Sequence, residues 1–203
     1  MPPKSPDLPQ APKRRDAAAS RQRLLAAAAA EFVAHGIAGA RVDRIATHAQ
    51  ANKRLIYDYF GDKNGLFDAV LDSVTAEAVG AVPIDGNDLP GYAGRLFDYH
   101  YDHPHLLRLV TWARLEGRST PSAHEQRKTS YLRRTKAIKA AQQAGIVTTA
   151  IGAAQILDLV ESLAVGWTSA ARGVLADSQQ LKRERTVHRD AITEAVRRIV
   201  QPQ

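Results

Sequence analysis

Apolar residues recur at helical spacing along nearly the whole chain, with no strand-like alternation of useful length. Leu24, Leu25, Ala28, Ala29, Phe32 and Val33 mark one face of a first helix. Asp16 suits its N-cap, and Gly36 stops it. Val42, Ile45, Ala46 and Ala49 line a short second helix over 41–48. Asn52 then caps a third, over 53–60, with Leu55, Ile56 and Phe60 inward. A fourth opens near Lys63, with a stripe of Leu66, Phe67, Val70, Leu71 and Val74. Gly80, Pro83, Gly86 and Pro90 break the pattern.

Helical spacing resumes after Asp88. Tyr92, Leu96, Phe97 and Tyr101 suit a fifth helix. Pro104 fits the first turn of a sixth, which Gly117 ends. A long polar helix over 122–144 stops at Gly145. The most apolar helix follows over 149–172, ending at Gly173. The last spans 186–200, with Val187, Ile192, Val196 and Val200 on one side. The pattern predicts an all-α fold. Two short helices across a tight turn, with bases on the second, read as helix-turn-helix.

Charge sharpens this picture. The 203 residues carry a net charge of +7. Residues 1–66 hold 11 basic and 6 acidic side chains, so one third of the chain carries most of the excess. That favours a polyanionic partner for the first part. Absence of cysteine excludes disulfides, thiolate metal sites and cysteine nucleophiles, and fits a cytoplasmic protein. No apolar run is long enough for a membrane span, and residues 1–15 lack the apolar segment of a signal peptide. Those 15 residues, with five prolines among the first twelve positions, read as a flexible basic arm. The expected division is arm 1–15, DNA-binding domain 16–62, and a larger helical domain 63–203.

The stretch from Arg41 to Leu66 resembles the DNA-binding domain of TetR-type transcriptional repressors. The resemblance rests on Ile45-Ala46, Tyr57-Asp58-Tyr59-Phe60, and Lys63 followed by Leu66, with Phe32 and Gly36 upstream. It covers about a quarter of the chain strongly. Two positions depart from the family pattern. Gln50 stands where the turn has glycine, and a left-handed Gln50 would cost roughly 1–2 kcal/mol. Arg41 replaces the Ser or Thr that caps the second helix, and cannot cap it itself.

Lys53 and Arg54 open the third helix, where a recognition helix meets base edges; Arg54 has the fork that matches guanine. Asn52 joins the same group. Tyr57 and Tyr59 resemble the family's phosphate-binding tyrosines. Lys63 sits at a helix N-terminus, where amides also favour phosphate. Arg41 and Arg44 are further backbone contacts. The resemblance implies a small-molecule site in the second part, for which Phe97, Tyr101, Leu107, Trp112 and Trp167 are candidate walls. Asp158 and Glu161, one turn apart on the most apolar helix, could select a cationic ligand, pair with arginine, or face water. His100, Asp102, His103 and His105 cluster around Pro104 without a fixed metal-ligand spacing, so no metal is expected.

No catalytic motif and no cofactor signature is present. The expectation is a repressor that binds double-stranded DNA as a homodimer on a palindromic operator, joined through its last two helices. A small-molecule effector would release it. The alternatives are a ligand-independent DNA-binding regulator and, further off, an all-α enzyme or lipid-binding protein.

Overall fold

The computed structural model describes the backbone of residues 12–115, 121–171 and 178–202, and the side chains of 16–113, 125, 128–166 and 183–202. Among the described residues there are nine helices and no strand. They form two compact units that divide between Leu71 and Asp72, inside the fourth helix.

The first unit contains α1 (Pro12–Gly39), α2 (Val42–His48), α3 (Arg54–Phe60) and the opening of α4 (Lys63–Ala81). Gly36, at φ 65, kinks α1 where the sequence asks for a stop. The helix starts earlier than expected, at Pro12 rather than at an Asp16 cap. Lys13, Arg14, Arg15 and the alanines after Asp16 are strong helix formers, and Pro12 suits a first turn. Residues 1–11 of the expected arm lie outside the described residues.

Leu24, Ala28, Phe32, Ile45, Ile56, Leu66 and Phe67 are buried in this unit. The rings of Phe32 and Phe67 meet edge to face at 5.0 Å. The short helices contribute little to this core. α2 buries Ile45 and Ala46, and α3 buries Ile56 alone. Phe60, expected inward, is half-buried, with the Arg21 guanidinium 5.3 Å above its ring.

The second unit contains α5 (Leu89–Asp102), α6 (Pro104–Leu115), α7 (Pro121–Gln143), α8 (Ala153–Ala171) and α9 (Ser178–Val200). Asp88 caps α5 by accepting the Gly91 amide at 2.8 Å. α5 packs on α8 and α9, and α8 also packs on α7. Their shared core includes Tyr92, Phe97, Ile138, Ile156, Val160 and Val196. Gly145, at φ 72, follows α7. Gln142 then shapes the link to α8, donating to the Thr148 and Ile151 carbonyls at 2.8 Å each.

Two boundaries differ from expectation. α8 begins at Ala153, after Gly152, and α9 begins at Ser178. The residues leading into α9 are polar but good helix formers, so an apolar stripe underestimates its length. Gly117 and Gly173 lie outside the described residues. No described helix is long and apolar enough to cross a membrane.

Candidate nucleic-acid interface

The turn between α2 and α3 closes as the sequence requires. Gln50 stands at φ 49. Its amide donates to the Thr47 carbonyl at 3.1 Å, and the next amide, of Ala51, donates to Ala46 at 3.0 Å. These paired bonds place Gln50 in the left-handed position that ends a helix and usually belongs to glycine. The strain expected of Gln50 is therefore present. Two residues on, Asn52 Oδ1 accepts the Arg54 amide at 2.8 Å, so Asn52 caps α3.

α3 points its basic and aromatic side chains outward. The Arg54 side chain is 84% exposed, with Asp58 3.8 Å away along the same helix. Tyr57 is also exposed, and Tyr59 is half-buried beside Phe60. Lys53 bridges to Asp43 of α2 at 2.7 Å. The bond between them holds the Asp43 carboxyl below its ordinary value and the Lys53 ammonium above its own.

Two of the expected phosphate contacts, Arg44 and Lys63, have internal partners. Arg44 donates its Nε to Glu31 Oε1 at 2.8 Å, and its Nη2 to the same oxygen and to the Gly39 carbonyl. Lys63 donates to the carbonyls of Ala38 and Ala40 at 3.3 Å each. A cation suits that end of α1, where carbonyls lack helical partners. The amides that open α4 are occupied too, since Asp62 Oδ1 accepts from Asn64 and Gly65 at 2.8 Å. Lys63 therefore does not stand beside amides awaiting a phosphate. Arg41 is exposed and makes no side-chain cap of α2. Its backbone amide donates instead to Glu31 Oε1 at 2.9 Å.

Glu31 is the residue that the apolar pattern passed over. Only 4% of it is exposed, beside the fully buried Phe32. The Arg44 bond, aided by the Arg41 amide and opposed by burial, holds its carboxyl below the ordinary value. The signal was available in the sequence: one carboxylate interrupts the apolar face of α1.

Two family models match the chain. Residues 24–70 match "Bacterial regulatory proteins, tetR family", and residues 88–198 match "Tetracyclin repressor-like, C-terminal domain". The chain belongs to the TetR family. Among its TetR relatives is the HTH-type transcriptional repressor SCO4008 of Streptomyces coelicolor, 40% identical over 190 residues, covering 92% of this chain and 97% of the relative. Its fold is similar to that of the putative transcriptional regulator SCO4942, also from Streptomyces coelicolor. That crystal structure aligns with TM-score 0.71 and 35% identity, over 89% of this chain and 98% of the other. The Salmonella enterica GusR structure shares the fold alone, at 16% identity and TM-score 0.65, over 89% of this chain and 95% of the other. The protein is thus a TetR-family helix-turn-helix transcriptional repressor, of a family that is not enzymatic.

The second unit treats the candidate ligand residues unevenly. Phe97 lies in the core, with the Tyr101 ring 5.9 Å from its own. Arg185 of α9 sits 4.6 Å above Tyr101. Leu107 is half-buried and Trp112 is exposed. The Trp167 side chain lies outside the described residues. Asp158 is exposed and accepts from Tyr131 Oη at 3.1 Å. Glu161 is half-buried and already paired with Arg134 of α7. Both carboxylates thus meet partners on α7, but only Glu161 is paired with a cation; Asp158 accepts from a neutral hydroxyl.

Other groups in this unit carry the unmatched polarity. Tyr99 Oη and His100 Nδ1 are buried without a hydrogen-bond partner among the described residues. Burial pushes the His100 imidazole below its ordinary value, and His103 adds to this. The His103 ring stacks on Tyr99 at 4.3 Å and bonds the Tyr99 carbonyl at 2.8 Å. Among the described residues no histidine and carboxylate group is arranged to hold a metal.

Proposed function

We propose that this repressor acts as a homodimer on a palindromic operator in the cytoplasm and is released by a small molecule. The observation that carries the DNA part is the outward face of α3, where Arg54 and Tyr57 are both exposed. Arg54 reads a guanine edge with Lys53 beside it at the start of α3, while Tyr57, Tyr59 and Arg41 meet phosphates. Asn52 contributes by capping the helix that carries them. One seven-residue helix reads few bases, so a symmetric pair supplies the remaining specificity.

The last two helices are the proposed dimer face. Leu159 of α8 and Val187 of α9 are exposed apolar residues in support of this. The ligand would be polar in part, because Tyr99 Oη and His100 Nδ1 lack partners that buried polar atoms ordinarily have. α4 carries residues of both units, so it is the proposed lever. A ligand that favours one arrangement of the dimer lowers operator affinity by its differential affinity for the two states.

One observation favours a ligand-independent regulator: Phe97 and Tyr92 are filled core, each about 1% exposed. Binding to the protein's own upstream intergenic DNA, against a scrambled duplex over a salt series, tests the DNA part. A strong preference with a steep salt slope is expected; equal weak binding to both duplexes counts against it. Screening that complex for release by small molecules separates the two regulators.

A further inference from the structure

Several features of the molecule have no assigned task. The half-buried ion pairs of Arg185 and Arg189 with Asp98 join α9 to α5 and are accounted for as packing. The Tyr99 and His100 atoms belong to the ligand reading above. Glu31 remains. It is a buried carboxylate in the DNA-binding unit, paired with the partly exposed Arg44 and with His35 one turn along α1.

We propose that Glu31 is a positioning residue for DNA binding, setting α2 through Arg44 and the Arg41 amide so that Arg44 acts as an internal strut and not as a phosphate contact. This rests on the helix-turn-helix reading. α2 lacks a side-chain cap, because Arg41 stands at its N-cap in an extended conformation. One oxygen of Glu31 instead holds the amide of the N-cap residue itself, the bond that the glutamate of a capping box would make. Oε1 accepts the Arg41 amide at 2.9 Å and Arg44 Nε at 2.8 Å.

Arg44 lies one turn into α2, and its Nη2 also holds the Gly39 carbonyl at 3.0 Å. The carboxylate therefore fixes both the start of α2 and its rotation about its own axis. α2 needs this from outside, since it buries only Ile45 and Ala46. α2 in turn holds α3 through the bridge from Asp43 to Lys53 at 2.7 Å. A shift of α2 moves the helix that meets the bases, and such sites tolerate displacements of only about 0.5 Å.

The test uses the full chain and a duplex that the wild-type chain enriches from a random-sequence library. Two variants are compared with wild type on that duplex and on a scrambled one, over a salt series. Arg44→Lys keeps the charge and loses the fork. The double variant Glu31→Gln/Arg44→Ala removes both charges, so no carboxylate is left stranded in the core.

Both variants are expected to bind the enriched duplex about tenfold more weakly, with scrambled-duplex affinity and salt slope unchanged. Wild-type affinity in Arg44→Lys overturns the proposal. So does a salt slope reduced by about 1 per copy in the double variant, the mark of a lost phosphate contact. If the wild-type chain enriches no duplex, the DNA reading falls, and the proposal falls with it. Failure of the strut alone leaves wild-type enrichment intact.

Discussion

The two units of this repressor are both all-helical, yet they hold their helices in place by different means. In the second unit the helices are long and their apolar faces are broad. α5 alone buries six residues along 14 positions. Its ion pairs, from Asp98 and Asp102 to Arg185 and Arg189, sit half-exposed at the edge of a core that is already closed. In the first unit, α2 and α3 have seven residues each and bury three side chains between them. Helices so short are marginal by themselves. There, polar contacts set the geometry: Glu31 with Arg44, Lys63 with the end of α1, Asp43 with Lys53, and Asp62 at the start of α4. Broad apolar faces fix a helix against its neighbours by themselves. Directional bonds decide where a helix with little apolar area points.

Substitutions in the two units should separate these roles. The largest effect is expected from Phe97→Ala, about 3–5 kcal/mol lost from the second unit's stability, read from a denaturant curve. A loss under about 1 kcal/mol would mean that the core collapses easily around that site. Arg54→Ala should leave the melting temperature unchanged and weaken operator binding about 10- to 100-fold. An unchanged operator affinity would take base reading away from Arg54.

Acidification gives the next contrast. The Glu31 carboxyl is held below its ordinary value of 4.5. Its stabilisation is therefore complete above about that pH and drains away as pH falls through the lower folded value. The Glu31→Gln protein should show less loss of stability over that acid range than wild type. Equal acid sensitivity would place the effect on other carboxylates. The His100 imidazole, also held low, acts at higher pH. Its neutral form is favoured in the fold, so stability begins to fall once pH drops below its ordinary 6.5. The smallest effect is at the turn. Gln50→Gly should raise stability by about 1 kcal/mol by relieving the left-handed strain, offset in part by the freer unfolded chain. A thermal melt decides the sign.

Much of this was legible in the residues themselves. The stripe of α1, the break at Gly36 and the Asn52 cap follow from local rules, because each involves neighbours within a turn of helix; the left-handed Gln50 was visible only through the resemblance to the family's turn. The outward direction of Arg54 and Tyr57 follows from the same periodicity. What the chain concealed was pairing at a distance. Arg44 reads as one more base near a DNA-facing turn, until Glu31, thirteen positions earlier, is brought against it. For Glu161 the sequence leaves a cationic ligand, an arginine and water as alternatives, and the arginine, Arg134, lies 27 positions away on α7. Helical periodicity says which side of a helix is apolar. It does not say which charges on different helices meet, since tertiary packing alone decides that. The early start of α9 was hidden for another reason, because its opening turns are polar and need no apolar stripe to be helical.

The way α3 is anchored bears on how regulators of this kind diverge. Its only fully buried side chain is Ile56. Arg54, Tyr57 and Asp58 face outward, and the core does not depend on them. Exchanging them changes what the protein recognises while leaving the fold nearly untouched, because exposed substitutions usually cost within about 0.5 kcal/mol. After gene duplication, a copy could therefore take up a new operator in single steps without passing through an unstable intermediate. The same separation makes the outward face of this helix a cassette for engineering, with Ile56 and the half-buried Leu55 and Phe60 left in place.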